Sequence, residues 1–360
     1  LQDELARDIV NALRVTLGVE SIRPLVAEQT TSLEAYNWFM RGRAVMDWGN
    51  LESTLKAIEF FEKAAELDTN YAQAWGYLAW ARASKSFFRP SAEAAPGAIE
   101  AYRRSLELNP EQSEALTAKA WIKRTHEWDF TAALELYQRA IKAEDNSNAM
   151  ITYSLFLWTI DLLETAIRYQ RAIEQRDPMH AGYKATLANM LLWIGDTVAA
   201  DAKAREALEL NPRHIFALYA FIDANALLGN YAEVEALLGS LPPELLDWPP
   251  IRCRVGIYYA VRGDLERARQ IYDDLMLNRS SANYPFLAHL ALRLGEVEAA
   301  IDVMERGVAV NNWHASAIRD HFVIRQFDAV NNHPRYLALL ERIGLDDDSV
   351  AKIHNKFSLD

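Results

Sequence analysis

Residues 181–212, AGYKATLANMLLWIGDTVAADAKAREALELNP, have the pattern of two amphipathic helices joined by a tight turn. Apolar residues recur at helical spacing along the first helix: Leu187, Leu191 and Ile194. Gly195 can take the left-handed backbone conformation that ends a helix, because it has no Cβ. Asp196 is placed to cap the second helix, and Pro212 stops that helix. The segment therefore predicts a helical hairpin.

The turn glycine and the closing proline of this hairpin recur at a nearly fixed period. Four glycines follow apolar helical runs at almost equal spacing: Gly195, Gly229, Gly263 and Gly295. Three prolines are separated by the same interval or by twice that interval: Pro110, Pro178 and Pro212. A fixed period of about 34 residues is typical of a stacked repeat protein, which forms an extended, curved surface.

The repeated unit resembles the tetratricopeptide repeat, whose signature places bulky, small and aromatic residues and a proline at set offsets. One unit fits this signature with the residues Trp75, Leu78, Ala79, Ala98, Tyr102, Ser105 and Pro110. The resemblance covers about residues 32–312 and gives eight units, which begin near residues 35, 72, 113, 148, 181, 215, 249 and 281. It implies an all-α, right-handed solenoid of about eight helix pairs. Residues 1–31 are then an N-terminal linker or capping helix, and residues 313–360 form C-terminal capping helices.

Several local features add to this expectation. The second unit carries an insertion at about residues 84–96, the turn near Asp161 is shortened, and four prolines alter the junction at 242–250. Asn230, with Glu233 three residues later, predicts a capping pair. Apolar residues at the two ends predict helices that cover the open core: Leu5, Ile9, Leu13 and Leu17, then Ile318, Phe322, Leu337, Leu340 and Ile343.

The ends of the chain resemble a narrower group of proteins. Segments 2–17, 31–36, 127–130 and 333–345 are similar to the C-terminal repeat regions of certain bacterial signalling proteins. Those proteins carry an adenylate or guanylate cyclase domain or a winged-helix DNA-binding domain at the N-terminus, often followed by a TolB-like domain. The resemblance implies a regulatory or interaction module. No cyclase carboxylates and no winged helix can be placed on these 360 residues.

Composition excludes several classes of function. The formal net charge of −12 argues against nucleic-acid binding, which needs Lys and Arg to neutralise phosphates. An acidic surface favours a basic protein partner, and the alternative is that the charge serves only solubility. No run of 18 uncharged apolar residues is present, so no membrane segment is predicted. Because the sequence begins with Leu1, we read it as a fragment of a longer chain. We expect a cytoplasmic location, or a periplasmic one if the parent has an upstream membrane helix.

Catalytic chemistry has no clear place in the sequence. It contains no glycine-rich phosphate loop, no Gly-x-Ser-x-Gly elbow and no His-Glu-x-x-His pair. His314, Asp320 and His321 have a spacing that only weakly indicates zinc, so packing or surface roles are favoured for them. Cys253 has arginine neighbours but no evident histidine partner, which favours a structural thiol. We predict a non-catalytic chain with no cofactor and no metal.

The concave groove is the predicted binding surface. In this repeat family the second, fifth, ninth and twelfth residues of each first helix point into the groove. That pattern, with the sites next to it, gives the candidate residues Tyr36, Phe39, Trp80, Trp121, Arg124, Phe156, Asn189, Tyr219, Asp223, His289 and Arg293. Trp80 and Trp121 are expected to stack side by side as an apolar platform for a bound segment. The alternative is that both indoles pack inside the solenoid.

These features predict a protein-interaction module that binds a protein or peptide and regulates an upstream signalling domain. Binding of an acidic C-terminal tail is disfavoured, since Ala185, Ala220 and Pro250 stand where clamp side chains are needed. Two alternatives stay open: a scaffold that homodimerises its parent, and a substrate-docking arm of an upstream enzyme. Fold alone does not separate them.

Overall fold

The computed structural model describes residues 30–47, 50–88, 91–143, 146–277, 284–310, 318–319 and 327–357. In these ranges the regular structure is helical, and eight consecutive helix pairs confirm the predicted all-α solenoid of the tetratricopeptide type. The first four pairs are α1 Leu33–Val45 with α2 Leu51–Leu67, α3 Ala72–Ser84 with α4 Ser91–Leu108, α5 Ser113–Thr125 with α6 Phe130–Ala143, and α7 Ser147–Thr159 with α8 Leu163–Arg176.

The second four pairs continue the stack. They are α9 Ala181–Trp193 with α10 Thr197–Leu210, α11 Ile215–Leu228 with α12 Tyr231–Ser240, then, after the one-turn helix α13 Pro243–Leu246, α14 Pro249–Arg262 with α15 Leu265–Leu277, and α16 Tyr284–Arg293 with α17 Val297–Ala309. Three shorter helices follow: α18 Asp328–Asn331, α19 Pro334–Ile343 and α20 Asp347–Phe357. The described helices include none that is both long and apolar enough to cross a membrane.

The turns inside the pairs confirm the role of the periodic glycines. All four adopt left-handed backbone conformations, with φ between 77° and 92°: Gly195, Gly229, Gly263 and Gly295. Asp196 caps α10 as predicted, because its carboxylate accepts a hydrogen bond from the amide of Ala199 at 3.1 Å. Trp128 and Asp161 take the left-handed conformation in the third and fourth pairs, where no glycine is present.

Two local predictions are wrong. The turn at Asp161 is not shortened, because residues 160–162 separate α7 from α8 just as residues 194–196 separate α9 from α10. Asn230 precedes α12, but its side chain does not cap that helix. Its amide group instead donates to Asn225 Oδ1 at 3.0 Å. The Asn230 side chain is thus bonded to the preceding helix, and its oxygen accepts no hydrogen bond from the first turn of α12.

The predicted insertion in the second pair lies across the groove. Its 3₁₀ turn, Lys85–Phe87, places the Phe87 ring centroid 4.8 Å from that of Trp121 on α5 and 6.3 Å from that of Phe216 on α11. Ser86 Oγ accepts a hydrogen bond from Trp121 Nε1 at 2.7 Å. The insertion thus joins the second and third pairs to the sixth.

The C-terminal helices return to the third and fourth pairs. The side chain of His354 on α20 forms a hydrogen bond with the carbonyl oxygen of Ile160, in the turn between α7 and α8. Lys356 Nζ lies 3.0 Å from Glu135 Oε1 on α6. Three of the predicted capping residues are buried: Ile318, Leu340 and Ile343. A fourth, Leu337, is exposed. Phe322 and the predicted N-terminal helix of residues 1–20 lie outside the described residues.

Candidate functional site

In the first half of the solenoid, aromatic core packing occupies the predicted groove positions. Phe39 is buried, with ring centroids 5.8, 5.2 and 5.0 Å from those of Phe61, Tyr71 and Tyr77. Trp80 and Trp121 are 2% and 0% exposed, and their rings meet edge to face at 6.1 Å. This geometry corrects the expected solvent-facing platform. The indoles pack against neighbouring helices and against the insertion.

Arg124 and Phe156 are buried as well, whereas Tyr36 is half-buried. The Arg124 guanidinium donates to Thr159 Oγ1 at 2.5 Å and lies 5.3 Å from the Trp121 ring centroid. Burial lowers the pKa of Arg124 to about 10, which leaves it charged at neutral pH. The side chains of Arg124 and Phe156 pack between helices and do not face solvent.

Asn189 occupies the predicted position on α9, but it bridges two helices. Its side-chain amide donates to the carbonyl oxygens of Ala185 and Phe216, each at 2.8 Å, and so joins α9 to α11. Only 7% of the residue is exposed. Its observed partners are therefore main-chain groups of the solenoid.

A cleft opens between α9, α11, α14 and α16, and it brings three predicted groove residues together. Its cavity volume is about 30 Å³, which is enough for a water molecule or the head of one side chain. The lining residues are Leu192, Trp193, Asp223, Ala226, Leu227, Arg254, Ile257, Val261, His289 and Arg293. We call this set the cleft. Apolar walls with a few converging polar groups are typical of a ligand site.

A buried ion pair forms one side of the cleft. Arg254 on α14 pairs with Asp223 on α11, and their side chains are 4% and 16% exposed. The Arg254 guanidinium also lies 5.0 Å from the ring centroid of Tyr219 and 4.1 Å from that of Phe286. Tyr219, a predicted groove residue, is thus buried behind the cleft. Burial lowers the pKa of Arg254 to about 10, so its guanidinium remains charged at neutral pH.

His289 and Arg293 form the opposite side. Arg293 Nε donates to His289 Nε2 at 3.2 Å, so the imidazole proton lies on Nδ1 in this arrangement. Arg293 also lies 5.5 Å from the ring centroid of Phe327, and burial lowers its pKa. Gly256 allows α14 and α16 to lie in close contact, because a Cβ at that position would stand 2.6 Å from Leu290 Cδ2. The close contact of α14 and α16 brings His289 beside Arg254 in the lining.

Exposed apolar residues extend the cleft along one edge of the solenoid. They lie at the turns of the fifth, sixth and seventh pairs, with exposed fractions between 39% and 69%: Ile194, Val198, Leu227, Leu228 and Leu265. We call them the turn-edge patch. Trp193 lines the cleft and stacks on Trp158 with ring centroids 3.6 Å apart. A patch joined to a concave site is typical of an interaction surface.

No group of three or more His, Cys, Asp or Glu side chains that could hold a metal is found within the described ranges. His314, Asp320 and His321 lie outside those ranges. Cys253 is buried, and burial raises its pKa, so the thiolate needed for nucleophilic attack is disfavoured.

The sequence did not indicate that Arg254 and Trp193 line the cleft. Arg254 is the sixth residue of α14 and Trp193 is the thirteenth of α9, so neither occupies one of the four groove-facing positions. The proline-rich junction before α14 was the available signal for a change of helix orientation.

The chain is similar to several solved structures at low sequence identity. No protein-family model and no curated protein matches the sequence. Human IFIT1, solved as a dimer with PPP-AAAA, is 15% identical with a TM-score of 0.52, over 77% of this chain and 72% of that chain. Yeast Tom70 is 14% identical with a TM-score of 0.45, over 99% and 96% of the two chains. A tetratricopeptide repeat protein from Parabacteroides merdae is 17% identical with a TM-score of 0.47, over 64% and 93%.

Proposed function

We propose that this chain is a non-catalytic protein-interaction module that binds a segment of a partner protein at the cleft and the turn-edge patch. The single observation that carries the proposal is the cleft itself. It combines apolar walls, a buried ion pair and the half-buried Trp193 and Arg293. Tryptophan and arginine are enriched among residues that contribute most to binding.

The partner segment that fits this surface is largely apolar. Five exposed apolar residues lie at three successive turns beside the cleft, so a segment crossing the turns would contact one pair after another. The net charge of −12 favours basic residues on its flanks, outside the cleft. Self-association through the turn-edge patch is the alternative, and sedimentation at increasing protein concentration would separate the two.

The biological setting of the proposal rests on the resemblance of the chain ends. We place the module in the cytoplasm, at the C-terminal side of a bacterial cyclase or winged-helix regulator. Partner binding would then control the upstream domain. Deleting residues 32–357 from the parent should remove partner-dependent control of cyclase or DNA-binding activity and leave the basal activity of the upstream domain intact.

A peptide selection tests the binding site. Random dodecapeptides displayed on phage would be selected on the wild-type chain, and the affinities of synthetic copies would be measured by fluorescence anisotropy. Leu227→Glu places a charge in the cleft at a residue that is 40% exposed and should weaken binding at least tenfold. Leu55→Glu is the matched control, because Leu55 is 44% exposed on α2. Equal affinity for both variants would contradict the proposed site.

A further inference from the structure

The C-terminal helix α20 shows how this solenoid covers two of its own turns. Gly344, which precedes α20, lies against the turn of the third pair, where a Cβ added to it would stand 3.9 Å from the carbonyl oxygen of Trp128. His354, near the end of α20, donates to the carbonyl oxygen of Ile160 in the turn of the fourth pair. The C-terminal segment therefore crosses two successive turns along one edge of the solenoid.

One face of α20 makes this contact. Val350 and Ile353 are buried, and Phe357 is half-buried and packs against the core. The three residues have the i, i+3, i+7 spacing of the apolar stripe of an amphipathic helix. The residues on the other face of α20 are exposed: Ala351, Lys352, Asn355 and Lys356. The chain thus covers this part of the edge with the apolar face of a helix.

The turn-edge patch occupies the equivalent positions in the next two turns. In the fourth, fifth and sixth pairs, an apolar residue comes directly before the left-handed residue of the turn: Ile160, Ile194 and Leu228. Ile160, in the turn that α20 contacts, is 0% exposed, whereas Ile194 and Leu228 are 47% and 39% exposed. The same apolar position is therefore covered in the fourth turn and exposed in the fifth and sixth.

We infer that the turn-edge patch is a docking site for an amphipathic α-helix of the partner protein. This helix lies across the turns of the fifth and sixth pairs as α20 lies across those of the third and fourth. Its apolar side chains follow the i, i+3, i+7 spacing and contact Ile194 and Leu228. The inference rests on the proposed function, because it gives the conformation of the segment that the interaction module binds.

The surface also favours a helix over an extended segment. The described residues form no strand with which an extended segment could pair. A helix satisfies its own main-chain hydrogen bonds, so it can lie on an apolar surface without leaving amide groups unpaired. The 11 residues of α20 rise by about 16 Å, which sets the length needed to reach from one turn to the next. A dodecapeptide is therefore long enough for the test.

An alanine scan of a peptide selected on the full chain tests the helical conformation. Fluorescence anisotropy would measure the affinity of each substituted peptide for the wild-type chain. We expect losses of at least tenfold at three positions spaced i, i+3, i+7, and less than threefold elsewhere. Proline at a central position outside this stripe should weaken binding at least 30-fold, because it breaks the helix. Alanine at that same position is the matched control.

Variants of the chain test the position of the helix. Ile194→Glu and Leu228→Glu should each weaken binding of the selected peptide at least tenfold, because each places a charge under the apolar face of the helix. Met179→Glu is the matched control and should change the affinity less than threefold. Met179 is 71% exposed in the connection between α8 and α9, at the opposite edge of the solenoid.

The outcomes separate the inference from the proposed function. Peptides that need Leu227 but lose affinity at every second position and tolerate the central proline bind as extended segments. Peptides that need Leu227 but neither Ile194 nor Leu228 bind in the cleft alone. Either result would overturn the inference and leave the interaction module standing. Failure to select any peptide would overturn both, and a dimer dissociated by Ile194→Glu would then assign the patch to a second copy of the chain.

Discussion

The two halves of the solenoid use equivalent helix positions for different purposes. The ninth positions of the second to fourth units hold Trp80, Trp121 and Phe156, all buried in aromatic packing. The same position holds Asp223 in the sixth unit and His289 in the eighth, and both line the cleft. The repeat therefore fixes the direction of a side chain, but the elements packed across the groove decide what that side chain contacts. In the first half that element is the insertion with Phe87.

The largest expected effect separates packing from recognition. Trp121→Ala should lower the free energy of unfolding by about 3–5 kcal/mol, because it removes a fully buried indole. Trp193→Ala should cost less stability, since Trp193 is half-buried, but should weaken peptide binding at the cleft. Urea denaturation followed by circular dichroism, together with fluorescence anisotropy, would measure both effects. A larger stability loss for Trp193→Ala would contradict the assignment of the two halves.

The ion pair gives the next largest effect. Asp223→Asn should destabilise the chain by about 3 kcal/mol, because it leaves the buried charge of Arg254 without its counter-charge. The double variant Asp223→Leu/Arg254→Met should recover to within about 1 kcal/mol of wild type. Thermal and urea unfolding of the three proteins would compare them. A double variant less stable than Asp223→Asn would show that the pair stabilises the second half by itself.

The free energy of unfolding should depend on pH through a buried histidine. Burial lowers the pKa of His214, which precedes α11, to about 4. The charge of Asp47, in the turn between α1 and α2, opposes that shift. Burial also lowers the pKa of neighbouring His180. Because the unfolded chain binds a proton near pH 6.5 and the folded chain does not, the full contribution is present above pH 6.5 and is lost as the pH falls towards 4.

Between pH 7 and pH 5, wild type should therefore lose about 2 kcal/mol more stability than His214→Phe. Urea unfolding at each pH would measure the free energy of unfolding of both proteins. Both carry the same surface carboxylates, so the titration of those groups cancels when the two values are subtracted. The control variant is His333→Phe, which removes a histidine at the start of α19 and is measured in the same way. Identical pH dependence of wild type and His214→Phe would contradict the assignment.

The smallest expected effect compares two helix starts in the second half. Asp196→Ala should lower the free energy of unfolding by about 1 kcal/mol, because the Asp196 carboxylate caps α10. Asn230→Ala should cost about 0.5 kcal/mol or less by loss of a cap, because its side chain does not bond to the first turn of α12. Melting temperatures under identical conditions would rank the pair. The reverse order would show that Asn230 caps in solution.

Much of the fold could be predicted because it depends on local rules. Gly195 and its equivalents end first helices through backbone conformation, and the apolar spacing fixes which faces pack, so both can be read from short windows of sequence. Asn230 shows where such rules stop, since its side chain is bonded to Asn225 on the previous helix. The candidate site depends on longer-range geometry. The contact of Phe87 with Phe216 joins segments that are far apart in the chain, so no short window of sequence indicates it. The proline-rich junction before α14 indicated an irregular connection, but not that Arg254 would line the cleft.

The most direct test of the account is the hydrogen-exchange footprint of a peptide selected on the wild-type chain. Mass spectrometry would compare amide exchange in the free and the peptide-bound chain. The account predicts added protection at the C-terminal ends of α9, α11 and α14 and along α16, with no change in α3 and α5. Protection confined to α3, α5 and the turn that carries Phe87 would contradict it and would place the binding site at Trp80 and Trp121.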